Sequence, residues 1–490
     1  MMNYDIMHAQ YTKQVITEYM GIPLIEALPP ILSVDEAEEA LHYYPPFNKA
    51  EKDLDSHLRI HCIDRIFQFN QPWDIHIDLE QRISRMIRGS YANRYPSNPD
   101  NPLAPNQAQR VNAIYEGIKN RSYHSVNVPA LRSSGMTIIG MSGTGKSRGV
   151  ESILGIYPQV IAHKLYNRKK FEHRQVVWIK IICPYNGSLK GLCQEFLNEY
   201  DRITNENTHI RFQRETAETL SLQIGRIAEL STLGLLVIDE IQNLSTAKSG
   251  GQENVLNFFV NLRNKIGVPV ILIGTPQAMN VIRRDFRQAR RGSGQQGDIM
   301  WSNIKQNNKD TWELVMRGIW HYQWTKRDCE FNQDLSDVIY DESQGILDIA
   351  IKLFAMAQVR AIRTGKEVIT EEIISKVAHD QLRLVQPMLD ALRSGNPDLL
   401  LKYPDIQPVN WEEFMAEESR KQQKKQNQAN TVSVADKYSE RQSQKKPHVS
   451  KKQMEDDDIS RVVSEGNDRG IEAYKSLKDA GLIIDINQDL

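Results

Sequence analysis

A glycine-rich stretch at residues 140–147 matches the phosphate-binding pattern G-x-x-x-x-G-K-[ST] at every constrained position. Glycines let the backbone turn tightly and direct its N–H groups at phosphate oxygens, while the next helix presents its positive N-terminal end to the same anion. The Lys146 ammonium would reach the β- and γ-phosphates, and the Ser147 hydroxyl would bind Mg²⁺. ATP and Mg²⁺ are therefore the predicted cofactors. The candidate nucleotide-binding residues are Gly140, Met141, Ser142, Gly143, Thr144, Gly145, Lys146, Ser147 and Arg148.

Two adjacent acids supply the second half of this chemistry. Asp239 and Glu240 directly follow the apolar run 235–238, which has the pattern of a buried strand. Asp239 is predicted to help hold Mg²⁺, and Glu240 to polarise the water that attacks the γ-phosphate. Thr275, at the tip of a neighbouring strand, could position the same water, and Asn243 is a weaker candidate. Either of these two could equally be a strand-end cap.

Strand and helix patterns alternate around these residues. Helical patterns occupy 148–153 and 189–200, and an amphipathic helix is predicted at 106–121. Such alternation predicts an α/β fold with a parallel sheet, whose ligands lie at the carboxyl ends of the strands. The polar residues above fall at those ends. The predicted strands are Met136–Ile139, Gln175–Cys183, Leu235–Ile238 and Val270–Ile273.

Length and charge limit the class of protein. At 490 residues the chain is long enough for two to four domains. Its 61 Lys and Arg nearly balance 62 Asp and Glu, so any DNA contact must come from a local patch. The four cysteines lack the spacing of a zinc site and are predicted to be reduced thiols. With no apolar run long enough for a membrane span and no signal-peptide pattern, we expect a cytoplasmic protein.

Composition also predicts five segments. The N-terminal segment is rich in Pro and aromatic residues and contains an N-capped helix start at Ser33, so it is predicted to be a folded, partner-binding module. The linker has almost no large apolar side chains to offset ordering entropy and is predicted to be disordered. The predicted segments are the N-terminal module 1–105, the nucleotide-binding core 106–325, a helical lid 326–408, the linker 409–454 and a C-terminal recruitment peptide 455–490.

The C-terminal peptide begins with acidic residues and ends with the alternating run Leu482–Ile486. This pattern suits addition to a partner's sheet edge or insertion into a groove. Packing of the same residues on the chain's own lid remains an alternative.

A cluster of arginines follows the fourth predicted strand, ahead of a flexible Gly-, Ser- and Gln-rich run. An arginine from one subunit can neutralise transition-state charge in the site of its neighbour. Most of these side chains are nevertheless expected to be surface cations. The cluster comprises Arg283, Arg284, Arg287, Arg290 and Arg291.

With these residues placed, the chain resembles AAA+ ATPases, and within them transposition regulators of the TnsC/TniB type. By this resemblance Thr275 matches the sensor-1 position and Arg291 the arginine finger, with Arg290 as the close rival. The lid arginine common in AAA+ proteins is absent near Gly345, where Asp348 and Lys352 stand instead. The segments that carry the resemblance are 139–147, 154–161, 237–244, 272–276 and 343–349.

The resemblance implies an ATP-bound homo-oligomer on double-stranded DNA, in a ring or helical filament of about six or seven subunits per turn. It would connect a TniQ/TnsD target selector to the TnsB transposase and the TnsA endonuclease, and hydrolysis would drive disassembly. Two alternatives stay open: a helicase loader or origin-binding ATPase, and a P-loop signalling switch that does not assemble.

DNA contacts are expected on loops that face the centre of such an oligomer. The hypothesis places them at Asn186, Ser188 and Lys190 after the second strand and at Lys248 after the acidic pair. Contacts to phosphates would give weak sequence preference and a steep dependence on salt.

Overall fold

The computed structural model divides the chain into two compact units, Met1–Phe414 and Met415–Leu490. Among the described residues, no helix has the length and apolar character that crossing a membrane requires. The predicted helix 106–121, the arginines 283–291, Lys248 and most of the predicted linker lie outside the described residues. The structure describes residues 6–95, 135–246, 255, 258–259, 262, 266–279, 297–396, 399, 412, 414–421, 459–470 and 472–479.

The first unit is built on a five-stranded sheet of order β5-β6-β7-β2-β8, in which every neighbouring pair is parallel. Its central strands are fully buried, as expected for strands covered on both faces. The predicted strands at 136–139, 235–238 and 270–273 are confirmed. The strands of this sheet are β2 (Gly135–Ile139), β5 (Trp178–Ile182), β6 (Leu235–Asp239), β7 (Val270–Gly274) and β8 (Ile299–Met300).

The prediction of one strand over 175–183 was wrong, because the chain changes sheets within that run. It forms the end of β4 (Lys169–Val176) and then β5, with Val177 between them. β4 pairs antiparallel with β3 (Val160–Tyr166), which also pairs with β1 (Met7–His8) in a separate three-stranded sheet. An apolar run shows that a chain is buried, but not where it leaves one sheet for another.

The helices cover the sheet and form the lid. The predicted helices at 148–153 and 189–200 correspond to helices of the structure, and helices occupy the predicted lid. In the first unit they are α1 (Pro23–Glu26), α2 (Val34–Leu41), α3 (Ser56–Ile63), α4 (Asp74–Arg94), α5 (Lys146–Leu154), α6 (Leu189–Thr204), α7 (Thr208–Phe212), α8 (Ala217–Leu230), α9 (Lys309–Trp320), α10 (Gln333–Ser343), α11 (Leu347–Thr364), α12 (Glu371–Gln381) and α13 (Gln386–Ser394); the second unit contains α14 (Ile459–Asp468) and α15 (Ala473–Asp479).

The N-terminal residues do not have a core separate from the sheet. Side chains of α1 and α4, including Leu24, Leu79 and Ile83, pack in one buried cluster with Ile138 of β2 and Ile271 of β7. The predicted boundary at residue 105 therefore does not divide two cores among the described residues. The predicted helix start is confirmed, since the Ser33 side chain accepts a hydrogen bond from the Glu36 N–H and the Glu36 carboxylate accepts one from the Ser33 N–H.

The same N-terminal segment is clamped to the lid by a buried ion pair. Arg59 of α3, 2% exposed, donates two hydrogen bonds of 2.7 Å to the carboxylate of Glu367 in the loop between α11 and α12. It also donates to the carbonyl of Trp324 at 2.9 Å. This bidentate geometry satisfies the fork of the guanidinium inside the protein.

We predict that Arg59→Met destabilises the protein by about 3 kcal/mol, because the variant leaves the Glu367 carboxylate partly buried without its counter-ion. The free energy of unfolding in urea measures the effect. Hydrogen bonds from Arg59 lower the pKa of Glu367 below its ordinary value of 4.5. The stabilisation is therefore present above that value and is lost as the pH falls through the lowered pKa.

Arg317→Ala is the matched control, since Arg317 pairs with Glu313 on the surface of α9 and its side chain is 61% exposed. An exposed pair contributes little to stability. Equal losses in the two variants would contradict a special role for the Arg59 clamp.

Candidate nucleotide site

The phosphate loop lies between β2 and α5, as predicted, and two of its glycines have left-handed backbone geometry. Gly143 has a φ of +75° and Gly145, the N-cap of α5, a φ of +96°. Lys146 begins the helix, and its side chain is buried along the loop, with the ammonium donating to the Met141 carbonyl at 2.7 Å. The Thr144 hydroxyl donates to the same carbonyl at 2.8 Å. The loop is thus held in a turn around a buried cation.

Trp301, directly after β8, fixes the shape of this loop. Its indole N–H donates to the Thr144 carbonyl at 2.9 Å, and its main-chain N–H donates to the Ile139 carbonyl at 2.7 Å. A Cβ on Gly140 would lie 1.9 Å from the Trp301 carbonyl oxygen, and a Cβ on Gly149 would lie 2.6 Å from its ring. These two glycines are therefore required by the close approach of Trp301, which the sequence did not indicate.

The acidic pair stands at the carboxyl end of β6, as predicted. Asp239 is buried, and its carboxylate lies 3.1 Å from the Lys180 ammonium, which also contacts Glu151 of α5. Burial lowers the pKa of Lys180, but the two carboxylates outweigh burial and raise it, so the ammonium stays charged. Glu240 has a φ of +57°, and its N–H donates to the Asp239 carboxylate at 2.9 Å. Glu240 lines the nucleotide cavity, and its carboxylate accepts a hydrogen bond from the Gln242 side chain.

Thr275 lies at the end of the neighbouring strand β7, 2% exposed. Its N–H donates to the side-chain carbonyl of Gln242 at 3.1 Å, while its hydroxyl has no hydrogen-bond partner among the described residues. A buried hydroxyl without a partner is costly, and a water or phosphate oxygen would satisfy it. Asn243 instead donates to the Cys183 carbonyl at 2.8 Å, which favours its interpretation as a strand-end cap.

The cavity at this edge of the sheet has a volume of about 300 Å³ and is shared by three parts of the chain. The phosphate loop, with Ser142 and Ser147, forms one wall, and the N-terminal segment and the lid form the others. Sequence patterns did not reveal the apolar walls, because residues far apart in the chain contribute them. These wall residues are Phe69, Trp73, His76, Val315, Leu347 and Ile351.

These walls suit a flat base, since aromatic rings bury large apolar area and stack on other rings. The Trp73 and His76 rings contact edge to face with centroids 4.1 Å apart. Burial lowers the pKa of His76 to about 4, so this ring is neutral at pH 7. The cavity thus joins an apolar compartment to the phosphate loop, as a nucleotide requires.

The Arg148 side chain has hydrogen-bond partners within the protein, and its predicted contact with the nucleotide stays a prediction. Its guanidinium donates to the carbonyls of Phe67 and Phe69 in the N-terminal segment, the second at 3.0 Å. Its side chain therefore ties α5 to that segment, although it also borders the cavity. Planar guanidinium donors suit two neighbouring carbonyls, and sequence spacing alone gave no sign of these partners.

The predicted DNA-contacting side chains have local roles. The Asn186 side chain accepts from the Ser188 N–H at 3.1 Å, and the Ser188 hydroxyl accepts from the Gly191 N–H at 3.1 Å as the N-cap of α6. Lys190 is exposed in the first turn of α6. Asn and Ser are favoured at turns and caps for this reason. DNA contact by Asn186, Ser188 and Lys190 stays a prediction, and Lys248, Arg290 and Arg291 lie outside the described residues.

The residues at this site fit ATP and Mg²⁺. The glycine cradle, the buried Lys146, the unpartnered Thr275 hydroxyl and the oxygen donors of Ser147 and Asp239 are the groups that these cofactors need. Bound Mg²⁺ would neutralise charge on the phosphate oxygens. The loop and sheet together define a P-loop NTPase fold of the AAA+ type.

Comparison with known proteins agrees with this class. The family model described as AAA domain matches residues 132–282. The predicted fold class is thereby confirmed. No curated protein sequence matches the chain.

Three solved structures show a distant likeness. The Aeropyrum pernix ORC2 protein with ADPNP and ADP has 14% identity and a TM-score of 0.36, covering 63% of this chain and 84% of its own. The Walker-type ATPase of Pyrococcus abyssi has 13% identity and a TM-score of 0.36, covering 60% and 76%. Cdc6p from Pyrobaculum aerophilum has 15% identity and a TM-score of 0.35, covering 64% and 86%.

We predict that Lys146→Ala abolishes ATP binding, whereas Glu240→Gln retains ATP binding and loses hydrolysis. Lys146 supplies the buried cation of the loop, while Glu240 acts on the attacking water. Binding of a fluorescent ATP analogue and release of phosphate distinguish the two effects. Normal turnover by the Glu240→Gln protein would contradict its role.

A second prediction concerns Lys180, which competes with Mg²⁺ for the Asp239 carboxylate. Lys180→Met should lower the Mg²⁺ concentration needed for half-maximal ATP-analogue binding about fivefold, which corresponds to roughly 1 kcal/mol. Lys376→Met on the surface of α12 removes the same charge elsewhere and should leave the Mg²⁺ requirement unchanged. A higher Mg²⁺ requirement in Lys180→Met would instead mean that Lys180 holds Asp239 in its metal-binding position.

Proposed function

We propose that this protein is an ATP-dependent regulator of DNA transposition that assembles on duplex DNA when ATP is bound. In this role it connects a TniQ/TnsD-type target selector to the TnsB transposase and the TnsA endonuclease, and ATP hydrolysis releases the assembly. The AAA+ site supports the ATPase step, and the resemblance of the motif segments to TnsC/TniB regulators supports the role in transposition.

The proposal that the protein assembles rests on the small number of positive charges in the nucleotide cavity. Among its described lining residues, the charged cations are Lys146 and Arg148, and the Arg148 guanidinium donates to main-chain carbonyls. Glu240 and Asp348 add negative charge to the same cavity. A triphosphate therefore needs further cations, and Mg²⁺ supplies only part of them.

An arginine from a neighbouring subunit would supply the remainder, as in other ATPases that complete their sites on assembly. Arg291, with Arg290 as its rival, is the proposed finger on the grounds of the family resemblance. ATP binding is then coupled to assembly, because the neighbour's cation binds the nucleotide only when the subunits are in contact.

Residues 455–490, within the second unit, are the proposed recruitment element. Its helices α14 and α15 are short, with ten and seven residues. Elements of this size rarely form an independent core and suit docking on a partner. The run 482–486 is outside the described residues. We propose that residues 455–490 bind the transposase or its endonuclease partner.

The finger is tested by mixing two inactive proteins. Arg290→Ala/Arg291→Ala retains an intact phosphate loop, and Lys146→Ala retains the finger. We predict that the mixture recovers part of the ATPase activity on duplex DNA, because one subunit supplies the site and the other the arginine. Steady-state phosphate release at fixed total protein measures the recovery. If no mixture exceeds the separate proteins, the arginines act within their own subunit or only structurally.

Electron microscopy of the protein with duplex DNA and a non-hydrolysable ATP analogue tests assembly directly. Rings or filaments that retain added TnsB are the expected result. Monomers under these conditions would favour the signalling switch. An assembly that stimulates helicase loading and ignores the transposase would favour the loader or origin-binding alternative.

A further inference from the structure

The hairpin formed by β3 and β4 has a cluster of positively charged side chains at its tip, and none of them lines the nucleotide cavity. Residues 164–170 contain four cationic side chains and no acidic one, in a chain whose net charge is −1. All four are exposed. The Lys170 ammonium lies 3.1 Å from Glu172, but both side chains are about two-thirds or more exposed, so this pair is weak. The cations are Lys164, Arg168, Lys169 and Lys170.

The opposite face of the hairpin is anchored in the first unit. The Tyr166 hydroxyl donates to Glu26 at 2.8 Å, and Phe171 is buried. His163 contacts the Tyr11 hydroxyl at 2.7 Å and the Gln175 side chain at 2.9 Å. The hairpin tip is therefore presented on a fixed base, so its cations keep their spacing.

The turn that joins the strands carries an arginine where the backbone favours glycine. Asn167 has a φ of +47° and Arg168 a φ of +66°. A two-residue hairpin turn with both φ values positive prefers Asn-Gly, because a side chain at the second position is strained. The strained residue is a cation at the extreme tip of the hairpin, and strain of this kind accumulates at functional positions.

We propose that the tip of this hairpin is a binding surface for the phosphate backbone of a duplex nucleic acid, with Arg168 as its foremost contact. The inference rests on the proposed function, in which the protein assembles on duplex DNA. A two-stranded ribbon fits the major groove, which is about 12 Å wide, and its outward cations then face the phosphates on either side.

A nucleic acid fits this surface better than a lipid membrane does. Stable binding to a membrane surface combines cations with apolar side chains that enter the bilayer. At this tip Tyr166 and Phe171 face the protein interior, and Leu165 is the large apolar side chain exposed there. The surface thus offers charge and hydrogen-bond donors with little apolar area.

Arg168→Gly removes the proposed DNA contact without weakening the fold, because glycine is the better residue for this turn. The variant should unfold at the same or a higher temperature and bind ATP analogue normally. Its binding to duplex DNA should be weaker, with the slope of log K against log salt shallower by about 0.9. If the contact contributes nothing at 1 M salt, this slope change corresponds to about eightfold weaker binding at 0.1 M. Arg168→Gly/Lys170→Ala should lose about 1.8 from the slope.

Lys376→Ala removes one cation from the exposed surface of α12 and should keep the wild-type slope. Fluorescence anisotropy of a labelled duplex with ATP analogue measures all variants, and vesicles of neutral and anionic lipid form a second arm. Wild-type slope and affinity in both hairpin variants would overturn the inference while leaving the proposed function standing. Failure of the wild-type protein to bind duplex would overturn the proposed function itself. Binding to anionic vesicles that Arg168→Gly abolishes, without duplex binding, would assign the surface to lipid and overturn the inference.

Discussion

The close approach of Trp301 to the phosphate loop is the packing constraint on which the site depends. Its carbonyl and ring occupy the space that side chains on Gly140 and Gly149 would need, and its indole N–H holds the Thr144 carbonyl. Interiors packed at this density do not accommodate an added methyl group without displacement. The glycine pattern at Gly140 thus serves the packing against β8 as much as the binding of phosphate.

The N-terminal segment also contributes to the nucleotide site. Arg148, one residue beyond the motif, reaches the carbonyls of Phe67 and Phe69, and Trp73 and His76 then complete the wall of the cavity. Because this segment contacts α5 and also lines the cavity, a change in its position would alter the wall of the nucleotide site. The Arg59–Glu367 clamp joins the same segment to the lid, so a partner that binds here would act on the site directly.

Residue patterns predicted the sheet and the phosphate chemistry because both depend on local sequence. The loop motif, the buried run before Asp239 and the strand before Thr275 are each contiguous, and the structure places them at one edge of the sheet. The break at Val177 and the short strand at Ile299–Met300 depend on pairing with distant strands, which periodicity does not encode. The apolar walls of the cavity were missed for the same reason, since they come from three separated segments.

Near Gly345, in the described part of the lid, an acidic side chain and not an arginine stands close to the phosphate loop. The Asp348 N–H donates to the Gly143 carbonyl at 3.0 Å, and its carboxylate, which borders the cavity, pairs with the Lys352 ammonium at 2.7 Å. The Asp348 carboxylate would repel a triphosphate bound in this cavity, and its ion pair with Lys352 reduces that repulsion. A lid that carries its own ion pair supplies less net attraction to the γ-phosphate than a lid arginine would. In the proposed assembly, neutralising that phosphate falls to Mg²⁺ and to cations from neighbouring subunits, so ATP binding and assembly would depend on each other.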